Sequence, residues 1–265
     1  MREDRRLAGP FIAYAGFVTT PRYFDHSPQE FLRVAPKGVG VAQRVMHVPD
    51  YGFALHERAA NFDQLEESAV CLGEAGCQVV GQVGTNWVHC NGTTPEDIRA
   101  LCETIGERSG ARFLMAGLCI ADALGALGAR RIAVANGYYR DDWRDGINRF
   151  LAQAGFEILW AGNLIDQGLY RSVTELEEVE RRTDWCYPAR DVVRAVHHAH
   201  LAAPEADAVV QTGAGFRTVS HIEAIEGLIG KPLVPSDVAL YWAMLGHLAL
   251  GVPIRGFGRL MGTLA

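Results

Sequence analysis

Three short segments of this 265-residue chain bring together residue types that can hold and transform a carboxylate. Gly84-Thr85-Asn86 follows the apolar run 79–83. Glycine lets the backbone approach a ligand closely, and a hydroxyl and an amide beside backbone N–H groups form a donor set for an oxyanion. Asn136-Gly137-Tyr138-Tyr139 follows the run 132–135. A tyrosine there can donate its hydroxyl to an oxyanion or carry a proton. Gln211-Thr212-Gly213-Ala214-Gly215 follows the run 208–210. Its small residues would expose N–H groups at a helix start, where anions bind. It is not GxGxxG and no Lys-Ser/Thr follows, so a nucleotide phosphate loop is not supported. Composition alone assigns the first and third segments to polar or tight turns. It leaves Tyr138 between a donor role and a ring packed across the sheet edge with its hydroxyl in water.

Other side chains could add chemistry nearby. Cys90 could be a displaced thiol or a small buried hydrophobe. His89 could be a general acid near neutral pH or a solvated loop residue. Tyr139 and Thr212 adjoin the same strand ends, and Thr212 can simply end its strand. Arg217 could bind a second carboxylate, with His221 four residues on; either could instead face solvent. His197, His198 and His200 share a predicted helix without an evident carboxylate partner, so they read as a polar face and no metal is expected. The six cysteines, Cys71, Cys77, Cys90, Cys102, Cys119 and Cys186, show no CxxC spacing, which excludes a zinc knuckle or thioredoxin motif.

These residues need elements to position them. Strand-like runs occupy 11–16, 39–48, 77–84, 112–115, 131–135, 156–160, 208–212 and 232–235. Helical stretches occupy 61–75, 95–109, 120–127, 141–154, 188–202, 218–229 and 237–250. Thr94 reads as an N-cap with Pro95 in the first turn, Ser236 as a cap for the last helix, and Gly110, Gly128, Gly155 and Gly230 as stops. The alternation predicts an α/β protein of right-handed βαβ units, with parallel sheets covered by helices. Ligands of such sheets bind beyond the carboxyl ends of the strands. The stretch 162–187 has a charged middle, 175–182, at helical spacing. It reads either as a lid or dimer element over a cleft or as a solvated surface helix.

Charge narrows the partners. With 25 Lys and Arg against 31 Asp and Glu the net charge is -6, and no basic block is present. This argues against nucleic acid and against a polybasic membrane surface. The segment MREDRRLAGP lacks the apolar stretch of a signal peptide. The most apolar run, 238–254, falls short of the ~20 residues a membrane helix needs and contains Gly246, His247 and Pro253. The expectation is a cytoplasmic protein with reduced thiols and no membrane partner.

The order and spacing of these segments resemble the aspartate/glutamate racemase superfamily, closest to its arylmalonate decarboxylase and maleate cis-trans isomerase branch. VVGQVGTNWVHCNG at 79–92 is similar to the first active-site loop of the decarboxylases, and ALGARRIAVANGY at 126–138 to their strand ending in tyrosine. TGAGFRT followed by GKPLVPSDVALYW is similar to their second loop and closing helix, and GFGRL at 256–260 to their C-terminal signature. The resemblance implies two Rossmann-like lobes related by a pseudo-twofold axis, with the active site in the cleft between them. The implied lobes are 1–113 plus 236–265 and 114–235. It implies a cofactor-independent enzyme acting on a small carboxylate, and it permits a homo-oligomer. Racemases of the superfamily place one cysteine on each lobe; the decarboxylases keep only the second. Here those positions fall on Gly84 and Gly213, so both thiols are missing. The decarboxylases' oxyanion pocket falls on Thr85, Asn86, Tyr138 and the amides near Gly213 and Ala214, with Gly84, Thr212, Gly215, Tyr139 and Arg217 as further substrate contacts. The expected reaction is a decarboxylase-like lyase acting through an enediolate. The alternatives are a cis-trans isomerase or hydrolase with a relocated nucleophile such as Cys90 or a relocated acid such as His89, or a binding relative without turnover.

Overall fold

The computed structural model describes residues 10–250 and 253–264. The charged N-terminal segment 1–9 and residues 251 and 252 of the apolar run lie outside the described residues. Among the described residues, eight strands form two parallel four-stranded sheets of the same topology. The first runs β2 (Val39–Val45), β1 (Ala13–Thr19), β3 (Val79–Gln82), β4 (Arg112–Met115). The second runs β6 (Glu157–Gly162), β5 (Arg131–Asn136), β7 (Ala208–Thr212), β8 (Leu233–Pro235). In both, the two inner strands are almost wholly buried, as strands covered by helices on both faces require. One continuous apolar core links the sheets.

The helices form where local signals and burial agree. α4 (Pro95–Ser109) has the expected bounds: Thr94 accepts from the Asp97 N–H, Asp97 accepts from the Thr94 N–H, and Gly110 stops the helix at φ 66. α5 (Ala116–Ala126) starts four residues earlier than predicted, directly from β4. It is apolar on nearly every side, so burial rather than a polar cap begins it. Its Gly117 lies so close to the turn after β3 that a Cβ there would meet the Thr85 carbonyl oxygen at 2.9 Å. α10 (Ser236–His247) packs on α5, β3 and β4. It stops short of the predicted end, and Ser236 is its first residue rather than a side-chain cap. No helix among the described residues is long and apolar enough to cross a membrane.

Two corrections bear on the site. The helix after β7 is α9 (Ile222–Ile229), not 218–229. Residues 213–216 form a turn closed by the Phe216 N–H on the Gly213 carbonyl, so Gly213-Ala214-Gly215 does not open a helix. Two short helices precede the expected ones: α1 (Ser27–Val34) and α2 (Leu55–Ala60). After α3 (Asp63–Glu74) and α6 (Asp141–Gln153), the stretch following β6 carries α7 (Val173–Thr183) and leads to α8 (Ala189–Ala202).

Candidate active site

The carboxyl ends of four strands, two from each sheet, converge on one cavity. Its wall holds Thr20 and Tyr23 after β1, Gly84, Thr85, Asn86 and Trp87 after β3, Tyr138 after β5 and Ala214 after β7. A smaller hollow shares Gly84 and Ala214 and is closed by Ser27, Ser236 and Asp237. β3 and β7, which hold the same place in their sheets, end alike. Gln82 and Gln211 are fully buried, and each donates its side-chain amide to the carbonyl of the residue that follows it. Two residues beyond each lies a glycine in the left-handed region, Gly84 at φ 98 and Gly213 at φ 109. Glutamine, one residue, then glycine, directly at the end of an apolar strand run at 82–84 and again at 211–213, is a sequence signal that marks the twofold arrangement of the loops.

Thr85, Asn86, Tyr138 and Ala214 line this one cavity. Thr85 and Asn86 open a 3₁₀ turn, Thr85–Val88, and both are buried. His89 Nε2 lies 3.0 Å from Asn86 Oδ1. Burial, then the nearby Arg58 charge, push the imidazole down to about 4, so it is neutral at neutral pH. The fitting tautomer has Nε2–H donating to Asn86 Oδ1, which leaves the Asn86 amide N–H groups for another acceptor. His89 therefore positions Asn86 and is corrected from a general acid; it does not line the cavity. Tyr138 packs edge-on against Trp143, centroids 4.7 Å apart, and against Trp185 at 5.6 Å. Desolvation raises its phenol to about 12, while the Arg58 charge and the Gly215 and Ala214 backbone N–H groups favour the charged form. At neutral pH it is a neutral donor beside loop-two amides.

Other expected residues lie elsewhere. Arg217 is corrected from a substrate contact: it pairs with Asp25 at 3.1 Å and Glu30 at 3.4 Å and donates to Ser27 Oγ at 3.0 Å. Its charge is already matched inside the protein. Through Asp25, which accepts from Tyr23 Oη at 3.1 Å, it steadies a cavity residue. Cys90 is corrected from a displaced thiol at the site. Its Sγ donates to the Trp87 carbonyl at 3.4 Å, and burial pushes it up to about 11. Tyr139 turns its hydroxyl to Glu177, away from the cavity, and Thr212 accepts from the Asn136 amide at 3.3 Å. A Cβ on Gly213 would point at the Tyr138 ring, 3.2 Å away, and one on Gly215 would strike the Trp185 carbonyl oxygen at 1.9 Å. Among the described residues, no three His, Cys, Asp or Glu side chains gather as a metal site would require.

Several cavity residues carried no sequence signal. Arg58 of α2 is 4% exposed and reaches the wall with its guanidinium 4.3 Å over the Trp143 ring. Its Nε donates to Tyr51 Oη at 2.6 Å, and one terminal nitrogen has no hydrogen-bond partner. Phe53, Trp87, Trp143 and Trp185 complete an aromatic enclosure. The remaining space is about 20 Å³, room for a single water. Trp185 closes it from the stretch after α7, its ring tilted against Phe53 with centroids 4.7 Å apart. Asp184 and Trp185 both hold positive φ, 48 and 61, a strained pair that persists only under surrounding contacts. A ligand larger than water fits only if part of this wall moves.

The same segment carries a pH-sensitive support. Glu180 of α7 is buried, accepts from Tyr187 Oη at 2.7 Å, and is raised from 4.5 to about 7 by burial. Its folded pKa lies above its unfolded one, so its stabilisation is complete below pH ~4.5 and is lost as pH rises through about 7. Glu180→Gln keeps the acceptor and never charges. Relative to wild type it should be near neutral at pH 4.5 and more stable by ~2 kcal/mol at pH 8, several degrees in melting temperature. A melting difference that does not change with pH would contradict this account of Glu180.

A larger hollow of about 260 Å³ lies between α4, α5, α10 and the edge strand β4, away from the converging strand ends. Its Arg99 and Asp122 pair with each other.

Residues 46–261 match the family model described as arylmalonate decarboxylase. The arylmalonate decarboxylase of Bordetella bronchiseptica is 28% identical over 204 residues, covering 75% of this chain and 79% of that protein. A crystal structure of arylmalonate decarboxylase superposes with a TM-score of 0.74 at 23% identity, over 94% of this chain and 98% of the other. The maleate isomerase Iso of Pseudomonas putida gives 0.76 at 17% identity, covering 96% and 99%. A Nocardia farcinica maleate cis-trans isomerase variant with a covalently bound succinylcysteine intermediate gives 0.76 at 20%, also covering 96% and 99%.

Proposed function

The chain belongs to the arylmalonate decarboxylase family, and from that premise we propose that it is a decarboxylase-like lyase acting on a substituted malonate. The carrying observation is the convergence of Thr85, Asn86, Tyr138 and Ala214 on one cavity. In this reading one carboxylate of the substrate sits on those donors. The bond from the α-carbon to the other carboxyl carbon breaks, and carbon dioxide leaves. The electron pair stays on the α-carbon and spreads into the retained carboxylate as an enediolate. Hydroxyl, amide and backbone N–H donors fixed in advance stabilise that charge as it develops. The aromatic enclosure excludes water, which strengthens each of these interactions.

The α-carbon must then take a proton. The family's thiol position holds Gly213, and the nearest candidates are phenols: Tyr138, and Tyr23, whose phenol burial raises well above its usual value. Both are protonated at neutral pH. A relocated-nucleophile reading lacks a thiolate, since Cys90 is bound to the Trp87 carbonyl and raised to about 11.

The test is release of labelled carbon dioxide from carboxyl-¹³C ethylmalonate and phenylmalonate. The lyase reading expects release together with the monocarboxylate product. Tight binding of both without release would instead favour a binding protein that lacks turnover.

A further inference from the structure

Among the described residues Arg58 and Arg217 are both largely withdrawn from water, and they are treated differently. Arg217 is matched by two carboxylates. Arg58 has no acidic partner among the described residues, and one of its terminal nitrogens is buried without an acceptor. The adjacent acid, Glu57, is spent on the Gly52 and Ala54 N–H groups at the start of α2. No acidic residue belongs to the cavity wall that Arg58 lines. Cation–π contact with Trp143 offsets part of the desolvation of the guanidinium, but a ring face satisfies no N–H along its own axis. An unpaired buried donor on a residue that lines a ligand cavity calls for an acceptor from the ligand, and a guanidinium is best met by a carboxylate.

Chemistry decides which carboxylate that is. The group lost as carbon dioxide gives up its charge, so a cation bound to it holds back the reaction. The reacting carboxylate that is retained lies on Thr85, Asn86 and Tyr138 in the reading above, on which this inference rests. The group on Arg58 must therefore be a further anion that survives the reaction. We propose that Arg58 is the specificity-determining residue of the site and binds a carboxylate carried on the substrate's substituent, so that the preferred substrates are malonates with an acidic side arm rather than a plain alkyl or aryl group.

A matched pair tests this. Ethylmalonate and carboxymethylmalonate differ only in ending the side arm with methyl or carboxylate. Each is titrated into the wild-type protein and into Arg58→Gln and Arg58→Lys, following tryptophan fluorescence, with thermal melts to confirm folding. The wild type should bind carboxymethylmalonate ~10–100-fold more tightly than ethylmalonate. Arg58→Gln should abolish that preference, and Arg58→Lys should restore part of it. An undiminished preference in folded Arg58→Gln, or no preference in the wild type, overturns the proposal. If both compounds bind and Thr85→Ala weakens both, a preference absent from the wild type or kept in Arg58→Gln condemns only the role of Arg58. If neither binds the wild type, the parent reading fails with it.

Discussion

Tyr138→Phe should lower turnover of the true substrate by ~10²–10³, and Thr85→Ala should do the same, because each removes one preorganised donor to the developing oxyanion. The phenylalanine variant is a clean deletion. The Tyr138 ring is held by Trp143 and Trp185, so Phe keeps the packing and loses only the hydroxyl that lies among the loop-two amides. Thr85 is buried at the head of the turn after β3, and Thr85→Ser should recover most of what alanine loses. The loss should fall mainly in kcat, since the donors act on charge that appears in the transition state. Full activity in both folded variants would show that the oxyanion lies elsewhere.

The second large effect is a gain. Gly213→Cys should raise the decarboxylation rate by supplying a proton donor at the α-carbon, a role worth ~10²–10⁴ where it is fully realised. The structure alters the terms. Gly213 lies at φ 109, so any side chain there is strained, at a cost of ~1–2 kcal/mol. Its Cβ would point at Tyr138 from 3.2 Å, so the ring must give way by a few tenths of an ångström. No helix begins at this loop, and nothing of that kind lowers the thiol pKa; burial keeps it protonated, which suits an acid. Gly213→Ala is the control, carrying the strain without the thiol. A cysteine variant that is folded and no faster than the alanine variant would make Gly213 a turn residue only.

The architecture was legible because its signals are local. Strands and helices alternate, and α4 carries its own cap, its proline and its stop within seventeen residues, Thr94 to Gly110. The loops after β3, β5 and β7 were legible because glycine and polar side chains stand directly beyond apolar runs. What escaped was set by burial and by distance along the chain. α5 begins without any capping residue, and α2 is six residues long with no apolar period to reveal it. Arg217 offered a free cation to the eye, yet its partner Asp25 is 192 positions away. Arg58 and Trp185 come to the cavity from α2 and from the stretch after β6, neither of which ends a strand beside the site. Their chemistry follows from being desolvated together, which no linear pattern displays.

The central claim is that the converging loops bind a carboxylate at the point where charge develops. A crystal structure of the protein with bound carboxymethylmalonate tests it most directly. The account predicts one carboxylate within ~2.7–3.1 Å of Thr85 Oγ1, Tyr138 Oη and the Asn86 or loop-two N–H groups, with Trp185 displaced or repacked around the ligand. A ligand seated elsewhere, such as the hollow beside Arg99 and His247, with the Tyr138 cavity closed and dry, would contradict it.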